Sequence, residues 1–369
     1  MRIVIATGIF PPDIGGPASL ASHLLRSWRH LGHDVVVVAY GEGSEEHVSK
    51  ISRKTPLPIR YILFAYRTWI LTKDADIMFI QGAVSEGLPA TLAGMLRRIP
   101  RVMRIPGDYA WEMYRQDPRT TELLDDFVTK RHERKIYLLE RIERWTSKHV
   151  HALITPSEYL KHIVNIWGVP EKNVHVVLNT VSPFSFVSDE DTRQQYQLDG
   201  KKILLCVARA VPWKRFDFLI RVLSKLSAEH VLVLAGDGPM LGPWKKEAER
   251  MGISNRVMFL GRIGRDALAN WYRASDALVL ASSYEGYPFV VAEAVSFGLP
   301  CFVSDKAGNP ETEVQYPEHV TVLPYNDESV WLEKLSMDMA RLPCVQNRSF
   351  EQFANELLTV LKTYARIND

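Results

Sequence analysis

The chain has 369 residues, 46% of them apolar and 24% charged, a balance that suits a soluble globular protein and excludes a disordered or collagen-like one. That length favours two domains over a single core. A formal net charge of +2 gives no global field for nucleic acid, and no run of about 18 apolar residues predicts a membrane span. Of the three cysteines, Cys206 and Cys301 lie in apolar, strand-like runs and Cys344 stands apart. Their odd number and lack of metal-ligand spacing predict inert buried thiols in a reducing compartment. The apolar start at residues 1–6 is broken by Gly8 and by Pro11-Pro12 too early for a signal peptide, so a cytoplasmic location is expected.

In chain order, residues 2–7 read as a buried strand, followed by a loop opened by Gly8, Gly15 and Gly16 and stiffened by Pro11, Pro12 and Pro17. Leu20, Leu24, Trp28 and Leu31 then mark one apolar helix face, Gly32 stops the helix, and residues 34–39 form the next strand. A strand, a glycine loop, a helix and a strand open a nucleotide-binding fold, although neither Gly-x-Gly-x-x-Gly nor Gly-Lys-Ser/Thr is present. Further strands are predicted at 77–80, 102–105, 151–156 and 174–178, with a helix through Leu88 to Leu96 and Ser157 as a cap. Such alternation means an open, doubly wound α/β sheet. Asp108 follows a Pro-Gly turn at a strand's carboxyl end. It reads either as a turn or cap residue or as a group facing the substrate. Residues 127–149 read as one long amphipathic helix whose Lys130, Arg131, Arg134, Lys135, Arg141 and Arg144 admit two readings. One is a solvated face of salt pairs with Glu133, Glu140 and Glu143, and the other is peripheral contact with an anionic membrane.

The chain turns polar from about 184 to 200, as a linker would, and a second strand-helix series begins at 202–208. Arg209, Lys214 and Arg215 then crowd the start of a helix marked by Phe216, Leu219, Ile220 and Leu223. Cations there oppose the helix macrodipole, a conflict expected where an anion sits between them. Arg209 and Lys214 together suit a diphosphate. A strand at 231–235 leads into Gly236-Asp237-Gly238-Pro239, another at 257–261 into Arg262 and Ile263, and a helix runs from Asp266 to Tyr272. After the strand at 277–280 comes Ser282-Ser283-Tyr284-Glu285-Gly286-Tyr287-Pro288-Phe289-Val290, then a helix carrying Glu293 and ending at Gly298. A helix N-terminus favours phosphate, so two acids beside it make sense if they face hydroxyls instead; the stretch reads as a nucleotide-sugar site. Helices at roughly 328–342 and 349–366 finish the chain.

With the cationic loop, the Gly-Asp-Gly-Pro turn and Glu285-x7-Glu293 in this order, the chain resembles the retaining glycosyltransferases of family four. The resemblance implies the GT-B fold, two Rossmann-like doubly wound domains facing each other across a cleft. It places an acceptor-binding domain at 1–183, a nucleotide-sugar domain at 184–348, and a C-terminal helix at 349–369 packed back on the first domain. It further implies that Arg209 and Lys214 clamp the donor diphosphate, that Glu285 meets the sugar hydroxyls, and that Glu293 meets the ribose. Backbone amides between Gly286 and Val290, the stretch that contains Tyr287, Pro288 and Phe289, would hold sugar and phosphate, Arg262 and Ile263 the base, and Gly238 the donor. Gly15 and Gly16 would let the backbone approach donor phosphates or acceptor. Where many members place a histidine this chain has Gly107-Asp108, so Asp108 is assigned to orienting the acceptor.

The activity so implied is retaining, metal-independent transfer of a hexose from a UDP- or GDP-linked donor to a saccharide or lipid-linked acceptor, in glycan or cell-envelope polysaccharide synthesis. No cofactor and no nucleic-acid partner are expected, and the chain is expected as a monomer or homodimer. A GT-B phosphorylase or epimerase, or an inert nucleotide-sugar-binding partner subunit, would carry much of the same pattern.

Overall fold

The computed structural model describes residues 1–13, 15–181, 184 and 192–366. They form two compact units, the first from Met1–Tyr114, Asp125–Leu178 and the segment beginning at Phe350, the second from Arg115–Leu124 and Asn179–Ser349. Of the linker expected at 184–200, residues 185–191 lie outside the described residues.

Seven parallel strands make the sheet of the first unit: β1 (Arg2–Thr7), β2 (Asp34–Tyr40), β3 (Val48–Ile51), β4 (Ile77–Gln81), β5 (Arg101–Arg104), β6 (Ala152–Thr155) and β7 (Val174–Val176). Their order is β3-β2-β1-β4-β5-β6-β7. The connections carry α1 (Gly16–His30), α2 (Leu57–Leu71), α3 (Gly87–Leu96), α4 (Tyr109–Tyr114), α5 (Leu124–Phe127), α6 (Arg134–Lys148) and α7 (Glu158–Ile166). Parallel strands need such crossovers, which cover both faces and explain why Ile3, Val4, Ile5 and Ala6 are all fully buried.

In the second unit, α8 (Thr192–Gln195) precedes the six parallel strands β8 (Lys202–Val207), β9 (His230–Ala235), β10 (Val257–Gly261), β11 (Ala277–Leu280), β12 (Cys301–Ser304) and β13 (Val320–Leu323). They lie in the order β10-β9-β8-β11-β12-β13. Between and after them come α9 (Phe216–Lys225), α10 (Leu241–Arg250), α11 (Arg265–Ala274), α12 (Phe289–Ser296), α13 (Pro310–Gln315) and α14 (Glu328–Ser336). Alternation along each strand sorts the core into two layers. Leu204 and Cys206 of β8 pack with Phe216 and Trp244, whereas Ile203 and Leu205 pack with Tyr272 and Val291. The last helix, α15 (Phe350–Tyr364), belongs to the first unit. Its Leu357 and Leu361 are fully buried beside Ile3 and Trp28, and Trp28 Nε1 donates to the Ala354 carbonyl at 3.0 Å.

Two helices are shorter than the sequence predicts. The stretch at 127–149 breaks into α5 and α6, because the chain doubles back to stack His132 on Phe127, ring centroids 3.9 Å apart. The helix expected to reach 342 stops at Ser336, where Met337 turns extended. Beyond it, Leu342 and Val345 donate backbone N–H groups to Gly298 and Val295, and the Arg341 guanidinium binds carbonyls of Phe297, Tyr272 and Ser275. Those bonds replace the helical ones. The β3-α2 unit was not legible as such, since β3 is a four-residue edge strand with polar interior residues and α2 turns its apolar side outward.

Candidate active site

In the second sheet β8 lies between β9 and β11, so strand order reverses there, and the loops leaving β8 and β11 diverge at their carboxyl ends. Open α/β sheets bind ligands at such a switch point. β8 runs into the loop bearing Arg209 and Lys214, and β11 into the loop bearing Glu285, which brings together two motifs 71 residues apart.

Lys214 ends a 3-10 turn over Pro212–Lys214, and its Nζ donates to Glu285 Oε1 at 2.5 Å. Ser282 Oγ donates to the same oxygen at 2.8 Å. The Lys214 and Glu285 side chains are 16% and 13% exposed, so the pair is held largely out of water, where charge interactions are strong. Buried Cys206 at the end of β8 lies within reach of both charges; burial pushes its thiol up to about 12, which keeps it protonated and inert. Arg209 is exposed on the same loop, its guanidinium 5.5 Å from the Trp213 ring centroid. Arg215 is placed differently. It sits in the left-handed region at the start of α9, stacks 3.8 Å from the Tyr325 ring centroid and donates to the Tyr325 carbonyl at 2.7 Å.

The Gly-Asp-Gly-Pro turn braces the Arg209 loop. Ala210 N–H donates to the Asp237 carbonyl at 2.9 Å and Met240 N–H to the Ala210 carbonyl at 3.0 Å. A Cβ on Gly238 would collide with the Ala210 carbonyl, so the residue expected among the donor contacts has the local task of letting two loops touch. The Glu285 loop is braced in the same way. Gly308 N–H donates to the Glu285 carbonyl at 2.9 Å, and a Cβ on Gly308 would stand 2.6 Å from the Gly286 carbonyl oxygen. Buried Asn309 donates through Nδ2 to Ser304 Oγ at 2.8 Å, and the Ser304 hydroxyl donates to the Ser282 carbonyl.

Downstream, Tyr287 and Pro288 are buried, Gly286 and Val290 half-buried, and Phe289 is exposed at the first position of α12. No side chain caps α12 and no acid lies in its first turn, which leaves the positive end of its dipole for an anion. Glu293 sits about one turn inside, 8% exposed, with Oε1 accepting from Arg265 Nη1 at 3.0 Å and Oε2 from Tyr272 Oη at 2.9 Å. Burial raises its pKa, opposed by the Arg265 charge. Beyond β10, Arg262 is exposed and Ile263 packs against the core.

In the first unit Gly15 precedes α1 and Gly16 opens it, where a Cβ would meet open space. Asp108 is 3% exposed, and its Oδ1 accepts the Trp111 N–H at 2.7 Å, capping α4. Glu143, from α6, accepts the Tyr109 and Ala110 N–H groups of the same turn at 2.9 and 3.2 Å. Burial, with the Glu140 charge behind it, pushes the Asp108 carboxyl up to about 7; burial and the Asp108 charge push Glu143 well above the carboxylate range.

Several residues of these sites were not singled out from sequence. Ser282 stands three residues before Glu285, and Arg265 and Tyr272, which hold Glu293, stand seven apart on one helix face, a spacing that could have been read. Glu86 gave less signal. It is buried after β4 at the switch point of the first sheet, accepts from the Ser85 hydroxyl, and is held so tightly between two loops that a Cβ on Gly8 or Gly82 would come within 2.8 or 2.5 Å of its carboxylate.

Two Rossmann-like parallel sheets in one chain define the GT-B glycosyltransferase fold. Residues 14–183 match the family described as Glycosyltransferase Family 4, and residues 188–335 the one described as glycosyl transferases group 1. An uncharacterized glycosyltransferase of Methanocaldococcus jannaschii is 24% identical across 98% of both chains. A GDP-mannose-dependent alpha-(1-6)-phosphatidylinositol monomannoside mannosyltransferase of Mycolicibacterium smegmatis is 25% identical over 84% of this chain and 82% of its own. The crystal structure of Anabaena HepE in complex with UDP and glucose superposes with a TM-score of 0.74 at 16% identity, covering 99% of this chain and 95% of that one. The chain belongs to the family 4 glycosyltransferases.

Proposed function

We propose that the protein transfers a hexose from a UDP- or GDP-linked donor to a hydroxyl of a saccharide or lipid-linked acceptor, with retention at the anomeric carbon and without a bound metal, in the synthesis of a glycan or cell-envelope polysaccharide. One observation carries the reading: Lys214 and Glu285 meet at 2.5 Å at the switch point of the second sheet, with Arg209 on the Lys214 loop and the uncapped α12 just beyond Glu285. As the sugar becomes oxocarbenium-like, the departing diphosphate gains negative charge, and preorganised cations stabilise that charge most where water is excluded. Arg209 and Lys214 are those cations in this reading. Once Lys214 turns to phosphate, Glu285 accepts from the sugar hydroxyls, with Ser282 holding its carboxylate in place. Each oxygen of Glu293 keeps a lone pair beyond its bond to Arg265 or Tyr272, enough to accept from a ribose hydroxyl. Arg262 and Ile263 face the base, Gly15 and Gly16 let the first unit approach the substrates, and Asp108 serves the acceptor by fixing the turn of α4 it caps. The names of the two relatives that carry GDP-mannose and UDP with glucose support a nucleotide-sugar donor.

The test is turnover of UDP-glucose and GDP-mannose with saccharide and lipid-phosphate-linked acceptors, the product anomer being read by NMR. The expected product keeps the donor's anomeric configuration and forms equally fast with EDTA. An inverted anomer would remove the retaining mechanism, an EDTA-sensitive rate the metal-free one. Conversion of the nucleotide sugar without acceptor, to its epimer, would point to an epimerase.

A further inference from the structure

Helix α2 is built inside out. Its inward side carries Phe64 together with two fully buried threonines, Thr68 and Thr72, whose hydroxyls bond back to the carbonyls of Phe64 and Thr68. Its outward side is a stripe at helical spacing, Ile59, Ile62, Leu63, Tyr66, Trp69 and Ile70, every one exposed. The neighbouring α3 adds Leu92, Met95 and Leu96. The two helices are locked at their C-terminal ends, where Arg97 Nε donates to the Trp69 carbonyl at 2.9 Å and the guanidinium lies 3.8 Å from the indole centroid. A monomer seldom leaves so much contiguous apolar surface to water. The exposed charges around the face are mostly cationic, with Asp74 beside Lys73 as an acid at its edge. Arg67, Lys73 and Arg98 are exposed around it, and no Asp or Glu occurs between Thr55 and Lys73 or between Gly87 and Arg98.

We infer that the α2-α3 face of the first unit is a docking surface for an anionic lipid bilayer, its aliphatic and aromatic side chains entering the headgroup boundary and its arginines and lysine meeting lipid phosphates. Charge decides between a bilayer and a second copy of the chain. In a symmetric pair the cationic rim would face itself, whereas an anionic membrane offers the opposite sign. Tyr66 and Trp69 suit the depth, each with an apolar ring and a polar edge. The basic helix singled out in the sequence is a weaker anchor. Its glutamates Glu140 and Glu143 turn inward, but only Tyr137 and Leu138 among its large apolar residues are exposed. The surface rests on the first unit alone and is independent of donor chemistry.

Flotation of the full chain with phosphatidylcholine vesicles containing about one-third phosphatidylglycerol tests the surface directly. The wild type is expected to float with these vesicles and not with pure phosphatidylcholine. Ile62→Glu combined with Leu96→Glu, at positions 67% and 78% exposed, should weaken binding at least tenfold while thermal stability and turnover on a soluble acceptor stay unchanged. Lys135→Glu with Arg141→Glu on α6 should weaken it less. No flotation, greater loss from the α6 pair, or a wild-type dimer that the α2-α3 pair dissociates would each overturn the assignment. Turnover on the soluble acceptor tests the glycosyltransferase reading separately.

Discussion

In the proposed mechanism Lys214 serves both the resting fold and the reaction. In the resting site it is the counter-charge of Glu285, and in the proposed reaction it turns to the diphosphate. Lys214→Ala should therefore lower kcat by roughly 100–1,000-fold, the loss of about 2.7–4 kcal/mol typical for one preorganised group. It should also cost about 1–3 kcal/mol of stability, because the partly buried Glu285 carboxylate loses its charged donor. Adding Glu285→Gln should restore the melting temperature but not turnover, and recovery of both would show that Lys214 has no part in the chemistry. Asp108 gives a pH-dependent counterpart. Its folded pKa is raised to about 7 by burial, so between roughly pH 4 and 7 the native state holds a proton the unfolded chain has released, and stability falls as pH rises through that window. Asn can still accept the Trp111 N–H, so Asp108→Asn should flatten the fall in melting temperature between pH 5 and pH 8; an unchanged slope would contradict the assigned shift. Asp108 was readable as a cap because a Pro-Gly turn precedes a short helix. Glu143, its partner on the same turn, was not, because it comes from a helix 34 residues further on by way of Tyr109.

At the scale of elements, the site is two loops held by their neighbours rather than by their own sequence. The run at 202–208 and the cationic loop after it were legible because buried apolar runs and a helix start full of cations each have a physical signature. The bracing was not. That Gly238 admits Ala210 and Gly308 admits Gly286 depends on strands paired across the sheet, which no local pattern encodes. Helix ends suffered similarly, since the 337–349 segment leaves helical form for bonds to Gly298 and Val295, more than 40 residues away in sequence. Gly308→Ala tests the bracing. Its methyl group would press on the carbonyls of Glu285 and Gly286, and overpacking of this kind costs about 1–3 kcal/mol. Turnover is expected to fall more than the small rise in unfolding rate accounts for, because the Glu285 loop must shift; wild-type kcat in a stable variant would show that the loop position is unimportant.

For the whole molecule, two sheets, each reversing at the first strand of its unit, frame the candidate sites, and the C-terminal helix returns to complete the core of the first unit. Leu357 is fully buried there, so Leu357→Ala should destabilise by about 2–5 kcal/mol, read as a lower melting temperature, although it lies far in sequence from every site residue. The two-sheet plan was legible from alternating apolar runs, but the inverted polarity of α2 ran against the rule that apolar helix faces point inward and left that helix unread.

The central claim is that Arg209 and Lys214 hold a nucleoside diphosphate. Thermal unfolding with UDP, GDP, ADP and TDP tests it most directly, because a ligand bound only to the native state raises stability by about 2.7 kcal/mol at 100 times its Kd. One diphosphate should raise the melting temperature selectively, and Lys214→Ala with Glu285→Gln should abolish the rise. Equal or absent responses to all four in the wild-type protein would contradict the account.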